Sequence, residues 1–232
     1  MPQSTQTCTE VTRVAWILFA TAFAAGAVDI IGFAILGGVF ASAMTGNFAL
    51  LAYHFAQGNT LSAIGSVIAL IGFIAGCIVG FTLRRGRSQR ATINLLLATE
   101  TGLLLVFALY SLWTTAAAPI PAMRLQIVIL AVAMGVQAVV GQMVSHSTIV
   151  FTTTLTRLVG GITDAIVSRD STGLAEVRDQ ITLVASYLLG ALLAGILAVH
   201  KMDGVVFLPL GGVAVAFAAH CFFHRRSIDD AA

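Results

Sequence analysis

The chain alternates long apolar runs with short polar interruptions. Runs of about 20 residues, the length that spans a bilayer as a helix, lie at roughly 14–36, 61–83, 93–114, 124–144, 180–200 and 204–223. Two further segments, about 39–57 and 149–167, are apolar enough to enter a membrane but carry clusters of hydroxyl and amide side chains. The first follows Gly26-Ala-Val-Asp29-Ile-Ile-Gly32 and contains Gly37-Gly38-Val-Phe-Ala-Ser42-Ala-Met-Thr45-Gly46-Asn47. The second follows Gly135-Val-Gln137-Ala-Val-Val-Gly141 and contains Ser145-His146-Ser147-Thr148, then Thr152-Thr153-Thr154-Leu-Thr156-Arg157. Asp29 precedes Thr45 by 16 residues and Gln137 precedes Thr152 by 15, so the interruption recurs at nearly the same spacing. Helix breaks at matching places in two halves of an apolar chain point to a transporter-type binding site.

Composition turns this pattern into a membrane assignment. Only 9% of the 232 residues are charged and the mean hydropathy is +0.97, against about 25% charge in a soluble domain. The expected fold is an all-α polytopic membrane protein with six full transmembrane helices plus two interrupted or re-entrant segments, in two related halves. Residues 1–13 then form a cytoplasmic tail, 14–223 a single transmembrane domain with halves at about 14–114 and 124–223, and 224–232 a C-terminal tail. The first run exceeds the about 7–15 residues of a secretory h-region, so it reads as a span despite the small-x-small Ala22-Phe23-Ala24.

Charge placement separates six spans from eight. The Arg84-Arg85-Gly-Arg87-Ser-Gln-Arg90 cluster belongs on the cytoplasmic side. With six spans, Arg13, Arg169, Arg178, Arg225 and Arg226 join it, and only His200, Lys201 and Asp203 oppose the trend. With eight, the His224-Arg225-Arg226 end falls outside and the halves run parallel. Six is favoured, and three spans per half makes the halves inverted, as in many secondary transporters.

Several residues are candidates for chemistry. Asp29 sits about four residues past the middle of its run, roughly 6 Å along the helix. An acid there needs a partner, a proton or a water-filled cavity, which makes it the leading proton-coupling acid; the competing reading is a structural pair. Glu100, one to two turns into its run, is a second proton carrier or a partner for Arg157. Arg157 is a strong cation inside an apolar segment, and it needs an acid (Asp29, Glu100 or Asp164) or the negative end of a solute. Substrate-binding candidates are Asp29, Thr45, Asn47, Gln137, Thr152, Thr154 and Arg157, whose small donors and acceptors flank helix breaks with exposed backbone N–H and C=O groups. The bland alternative is that such hydroxyls bond their own helix four residues back. Gly72, Gly76 and Gly80 form a flat stripe for close helix packing, within the chain first and between two copies as the second reading.

Other classes are disfavoured. Cys8, Cys77 and Cys221 lie far apart with no metal-ligand spacing. The net charge of +2 and the lack of a basic face argue against nucleic acid. No GxSxG, HExxH or GxxxxGK[ST] motif occurs, and adjacent Ser145-His146 side chains point apart. No enzyme, metal or cofactor is expected; the partners are the lipid bilayer and a small solute.

Gly26-Ala-Val-Asp29, Gly37-Gly38-Val-Phe40 and Met44-Thr45-Gly46-Asn47 resemble the signature of the YoaK-like family of small bacterial membrane proteins, a domain of unknown function. Met134-Gly135-Val-Gln137 is similar to that family's second-half Met-Gly-x-Gln, and Glu100 to an acid usual in its fourth apolar stretch. The likeness spans nearly the whole chain. It departs where Thr152-Thr153-Thr154 replaces Thr-Gly-Thr, and where Ala138-Val139-Val140 lacks a usual Asn or Arg. The resemblance implies a bacterial inner-membrane protein proposed to move a small molecule. The function expected is a secondary transporter of a small, anionic solute with proton coupling; a non-transporting membrane scaffold or regulatory protein, and a channel, are the rival readings.

Overall fold

The computed structural model describes residues 3–114, 119–144, 151–167 and 174–229. The regular structure of the described residues is helical, with eight α-helices: α1 Gln3–Ala34, α2 Met44–Ala56, α3 Thr60–Arg84, α4 Gln89–Trp113, α5 Ile120–Met143, α6 Phe151–Val167, α7 Leu174–Val199 and α8 Phe207–Asp229. A single 3-10 turn, Asp203–Val206, precedes α8.

Local chemistry sets several boundaries. The Asn59 side chain accepts the Ser62 N–H to start α3, and Ser88 accepts the Ala91 N–H to start α4. Gly58 and Gly86 take positive φ, 71° each, in the turns before those caps. Pro121 occupies the first turn of α5, where its missing N–H costs nothing, so α5 starts at Ile120 rather than near 124. Likewise α7 begins at Leu174 rather than near 180, its first turns carrying Glu176, Arg178 and Asp179, and α1 reaches back to Gln3.

Among the described residues, six helices are long and apolar enough to cross a membrane: Thr12–Ala34 of α1, then α3, α4, α5, Glu176–Val199 of α7, and Asp203–Phe223 through α8. The 13 residues of α2 and 17 of α6 extend about 20 and 25 Å at 1.5 Å per residue, short of the roughly 30 Å hydrocarbon core. The outward faces are apolar, with Ile71, Ile74 and Ile78 on α3 and Leu188, Leu192 and Ile196 on α7 exposed. Such patches suit lipid and not water.

Contacts between helices fix their directions. The Gly72 position faces Val128 and Ala131, Gly76 faces Val132 and Gly135, and Gly80 faces Val139. The order advances together, so α3 and α5 run parallel with the glycine stripe between them. The α4–α5 pair runs antiparallel: Gln126 donates to Ser111 and Thr114 at one end, and Gln89 donates to the Met143 carbonyl at the other. The loop after α1 joins the first of these ends, since Gly37 lies near the Met123 side chain. Cys221, late in α8, bonds Asn94, early in α4, which puts the end of α8 on the same side as the Arg84–Arg90 turn. Hence α1 leaves the basic side, α8 returns to it, and α1 and α5 run in opposite directions. Among the described residues, the six long apolar helices and their directions fit six crossings rather than eight.

The packing order is also informative. α1 packs on α7 and α8, α5 on α3 and α4, α2 on α3, α6 on α7, and α4 on α8.

Candidate functional site

The segment after α1 is re-entrant. Glycines at 37 and 38 take φ of 90° and 82°, reversing the chain, and the Gly38 and Val39 N–H groups bond the Phe33 and Gly32 carbonyls. Residues 39–42 then run back along the end of α1. A side chain at Gly32 would collide with the Val39 carbonyl, so only glycine permits this approach. This segment ends beside Asp29, which stands five residues before the end of α1, about 7.5 Å back along the helix.

There Asp29, 1% exposed, receives three donors. The Ser42 backbone N–H reaches Oδ1 at 2.7 Å, and Oδ2 accepts the Ser42 hydroxyl at 2.6 Å and the Tyr187 hydroxyl at 2.9 Å. One carboxyl thus ties the re-entrant segment to α1 and both to α7. Three donors converge on this one carboxyl, so both of its oxygens are engaged. Tyr187 was invisible to pattern reading, since a lone tyrosine in an apolar helix has no periodicity to mark it.

Asn47 closes the other end of the segment. Its Oδ1 accepts the Phe40 N–H at 2.9 Å and its Nδ2 donates to the Phe40 carbonyl at 2.5 Å, while the Phe40 ring stacks on Phe33 at 5.3 Å. A side chain at Gly46 would meet the Phe40 ring at 2.8 Å. The Thr-Gly-Asn signature is therefore a loop clamp. Asn47→Leu leaves the half-buried Phe40 amide and carbonyl unpaired, at no more than about 1–3 kcal/mol each. The expected outcome is faster hydrogen exchange confined to residues 35–43 and a lower melting temperature; unchanged exchange there contradicts the clamp.

The remaining candidates do not gather around Asp29. Thr45 is exposed on the first turn of α2. Gln137 is wholly buried and donates through Nε2 to the Thr21 carbonyl at 3.1 Å, joining α5 to α1. Thr152 lies in the first turn of α6 and Thr154 is buried farther along it. Arg157 is exposed on α6, and among the described residues no acid lies within ion-pair distance of it, contrary to the expected pairing with Asp29, Glu100 or Asp164. Ser145, His146, Ser147 and Thr148 lie outside the described residues. The single constellation expected from the sequence is thus divided among a re-entrant loop, the α1–α5 contact and α6.

Helix α6 presents three faces. Gly161 meets Val177 of α7, Leu155, Val159, Ile162 and Ile166 form an exposed apolar stripe at helical spacing, and Thr153, Thr156, Arg157, Thr163 and Asp164 are exposed on the polar side. Glu100, in the middle of α4, is fully buried, and neither carboxyl oxygen has a hydrogen-bond partner among the described residues. Grouped His, Cys, Asp or Glu side chains that would hold a metal are absent among the described residues.

Comparison with known proteins agrees with this architecture. The chain is similar to the UPF0700 transmembrane protein YoaK of Bacillus subtilis (strain 168), 28% identical over 195 residues that cover 80% of this chain and 84% of that protein. No solved structure matches it. The family model described as "Protein of unknown function (DUF1275)" matches residues 17–219. A match over that much of the chain makes this multi-pass membrane protein a member of the DUF1275 family.

Proposed function

We propose that the chain is a secondary transporter of a small, anionic solute in the bacterial cytoplasmic membrane, working by alternation between two inverted, related halves. The observation that carries this reading is a pair of matching helix crossings. At the α1–α7 crossing a side chain at Gly26 would meet the Tyr187 carbonyl and the Ala191 nitrogen, and one at Gly190 would meet the Phe23 carbonyl. At the α5–α3 crossing a side chain at Gly135 would meet the Phe73 carbonyl and the Cys77 nitrogen, and one at Gly76 would meet the Val132 carbonyl. Residue for residue, Gly26 answers to Gly135, Phe23 to Val132, Tyr187 to Phe73, Gly190 to Gly76 and Ala191 to Cys77. The packing order obeys the same exchange, each half lending its third helix to the other's first. This register pairs Gln137 with Val28 and Asp29 with Ala138, one step away from the Asp29–Gln137 match of the sequence.

Inverted repeats with short helices at their breaks are the architecture of alternating-access carriers. Here α2 and α6 take the place of the broken segments. The polar face of α6, with Arg157 among Thr153, Thr156 and Thr163, suits the negative end of a solute. Buried acids in spanning helices suit coupling to protons.

Reconstitution of the full chain in proteoliposomes tests this. Saturable uptake of at least one compound from a panel of small carboxylates is expected under an inward proton gradient, with loss on adding a protonophore. Arg157→Gln is expected to raise the half-saturation concentration of that carboxylate. Ion currents independent of any solute gradient would indicate a channel. Neither flux nor a ligand-induced rise in melting temperature across the panel would indicate the scaffold reading.

A further inference from the structure

Two acids are fully buried in the spanning helices, and their surroundings are opposite. Asp29 carries three donors. Glu100 carries none among the described residues. It lies on the buried face of α4 with Ile93, Leu96, Leu97, Leu104 and Phe107. The antiparallel register set by Gln89–Met143 and Gln126–Ser111 puts Glu100 level with the Met134–Gln137 turn of α5, where Gln137 bridges to α1.

The titratable groups on the elements packed against α4 leave it uncompensated. On α5 there is Arg124, in the first turns of that helix and near the far end of α4. On α8 there are His220 and Cys221, level with Asn94, with His224, Arg225, Arg226 and Asp229 farther on toward the end of the helix. On α3, Cys77 is level with Gly135 and turns its thiol to the Gly135 carbonyl, while Arg84 ends the helix. The 3-10 turn brings Asp203, which is exposed. Among the described residues none of these forms an ion pair with Glu100. An ionised carboxylate without donors in such an interior costs several kcal/mol. A hard metal cation offers no better solution, since it needs about six oxygen ligands and the flanking residues on this face are aliphatic and aromatic.

Resting on the transport reading above, we infer that Glu100 is the coupling-proton carrier of this protein, while Asp29 is a fixed latch. Glu100 holds its proton while α4, α5 and α8 enclose it and yields it to water when the halves rock apart. The division of labour follows from the hydrogen bonds. Moving a proton on or off Asp29 would displace one of three donors and release the re-entrant segment; moving one on or off Glu100 disturbs no bond among the described residues.

Dicyclohexylcarbodiimide, an apolar reagent that adds to protonated carboxyls in membranes, is the probe. With the purified full chain, peptide mapping is expected to find an adduct on Glu100, none on Asp29, and less adduct as the buffer is made alkaline. In proteoliposomes, a step from alkaline to acidic buffer with no solute present is expected to give a transient charge displacement. That displacement is lost in Glu100→Gln and kept in Asp203→Asn. Wild-type labelling keeps the inference falsifiable should Glu100→Gln fail to fold. No adduct on Glu100 at any acidity, displacement surviving in Glu100→Gln, or displacement evoked by sodium at constant pH with protection from the reagent would each overturn it. Labelling and displacement need no solute, so if both hold while the carboxylate panel shows no flux, the transport reading fails and proton binding at Glu100 stands. Proton-driven accumulation that persists in Glu100→Gln refutes the inference and leaves transport intact.

Discussion

Replacing Gly76 with leucine is expected to abolish recovery of folded, monodisperse protein. A Cβ there meets the Val132 carbonyl group, with its carbon at 2.9 Å, and the Gly135 Cα at 3.0 Å. These are backbone atoms, which no rotamer change moves aside. Overpacking in a core that adapts costs about 1–3 kcal/mol, and this crossing has nothing to adapt, so the cost lies at or above that range. Gly190→Leu is expected to behave the same way at the other crossing, against the Phe23 backbone. Gly195→Leu on α7, where nothing lies within 4 Å, is the control and is expected to stay near wild type in yield and melting temperature. Because these crossings are held by backbone approach rather than by hydrophobic segregation, which lipid does not provide, losing contact here has no nearby substitute. Equal tolerance at positions 76 and 195 would contradict the close crossings.

The second large effect is at Asp29. Asp29→Ala removes the acceptor of the Ser42 N–H, the Ser42 hydroxyl and the Tyr187 hydroxyl at once. Each buried donor left unpaired costs about 1–3 kcal/mol, and a hydroxyl can turn to another acceptor whereas the Ser42 N–H cannot. The expected result is a melting temperature well below wild type and fast proteolysis within residues 35–43. Tyr187→Phe removes one donor and leaves a satisfied carboxylate, so it is expected to cost only about 1 kcal/mol. Asp29→Ala with wild-type stability and proteolysis would refute the latch.

Much of the architecture was legible before any coordinates. The long apolar runs and the Arg84–Arg90 cluster give the crossings and their sense, because span length and charge asymmetry are one-dimensional properties. The break at Gly37-Gly38 was equally visible, and Asp29 stood out as an acid among apolar residues. The roles were harder. Asn47 reads as a ligand from its amide alone, and only the fold shows that amide closed on the Phe40 backbone. Arg157 reads as needing an acid or a bound anion, and only the fold shows it on an exposed helix face. Matching polar residue to polar residue pairs Asp29 with Gln137, whereas the two close crossings set Gly26 against Gly135, where backbones touch, one step away. Tyr187 and the isolation of Glu100 depend on contacts between distant helices, which spacing along the chain does not encode.

The transport proposal rests on inversion of the two halves, and the sidedness of the last helix tests it most directly. Paired reporter fusions at Pro119 and at Ala232 read it in cells: a phosphatase active only outside and a fluorescent protein fluorescent only inside. Six crossings predict Pro119 outside and Ala232 inside, on the side of the Arg84–Arg90 turn. An Ala232 fusion that is outside together with Pro119 would mean eight crossings with parallel halves, and would contradict both the inverted arrangement and the alternation built on it.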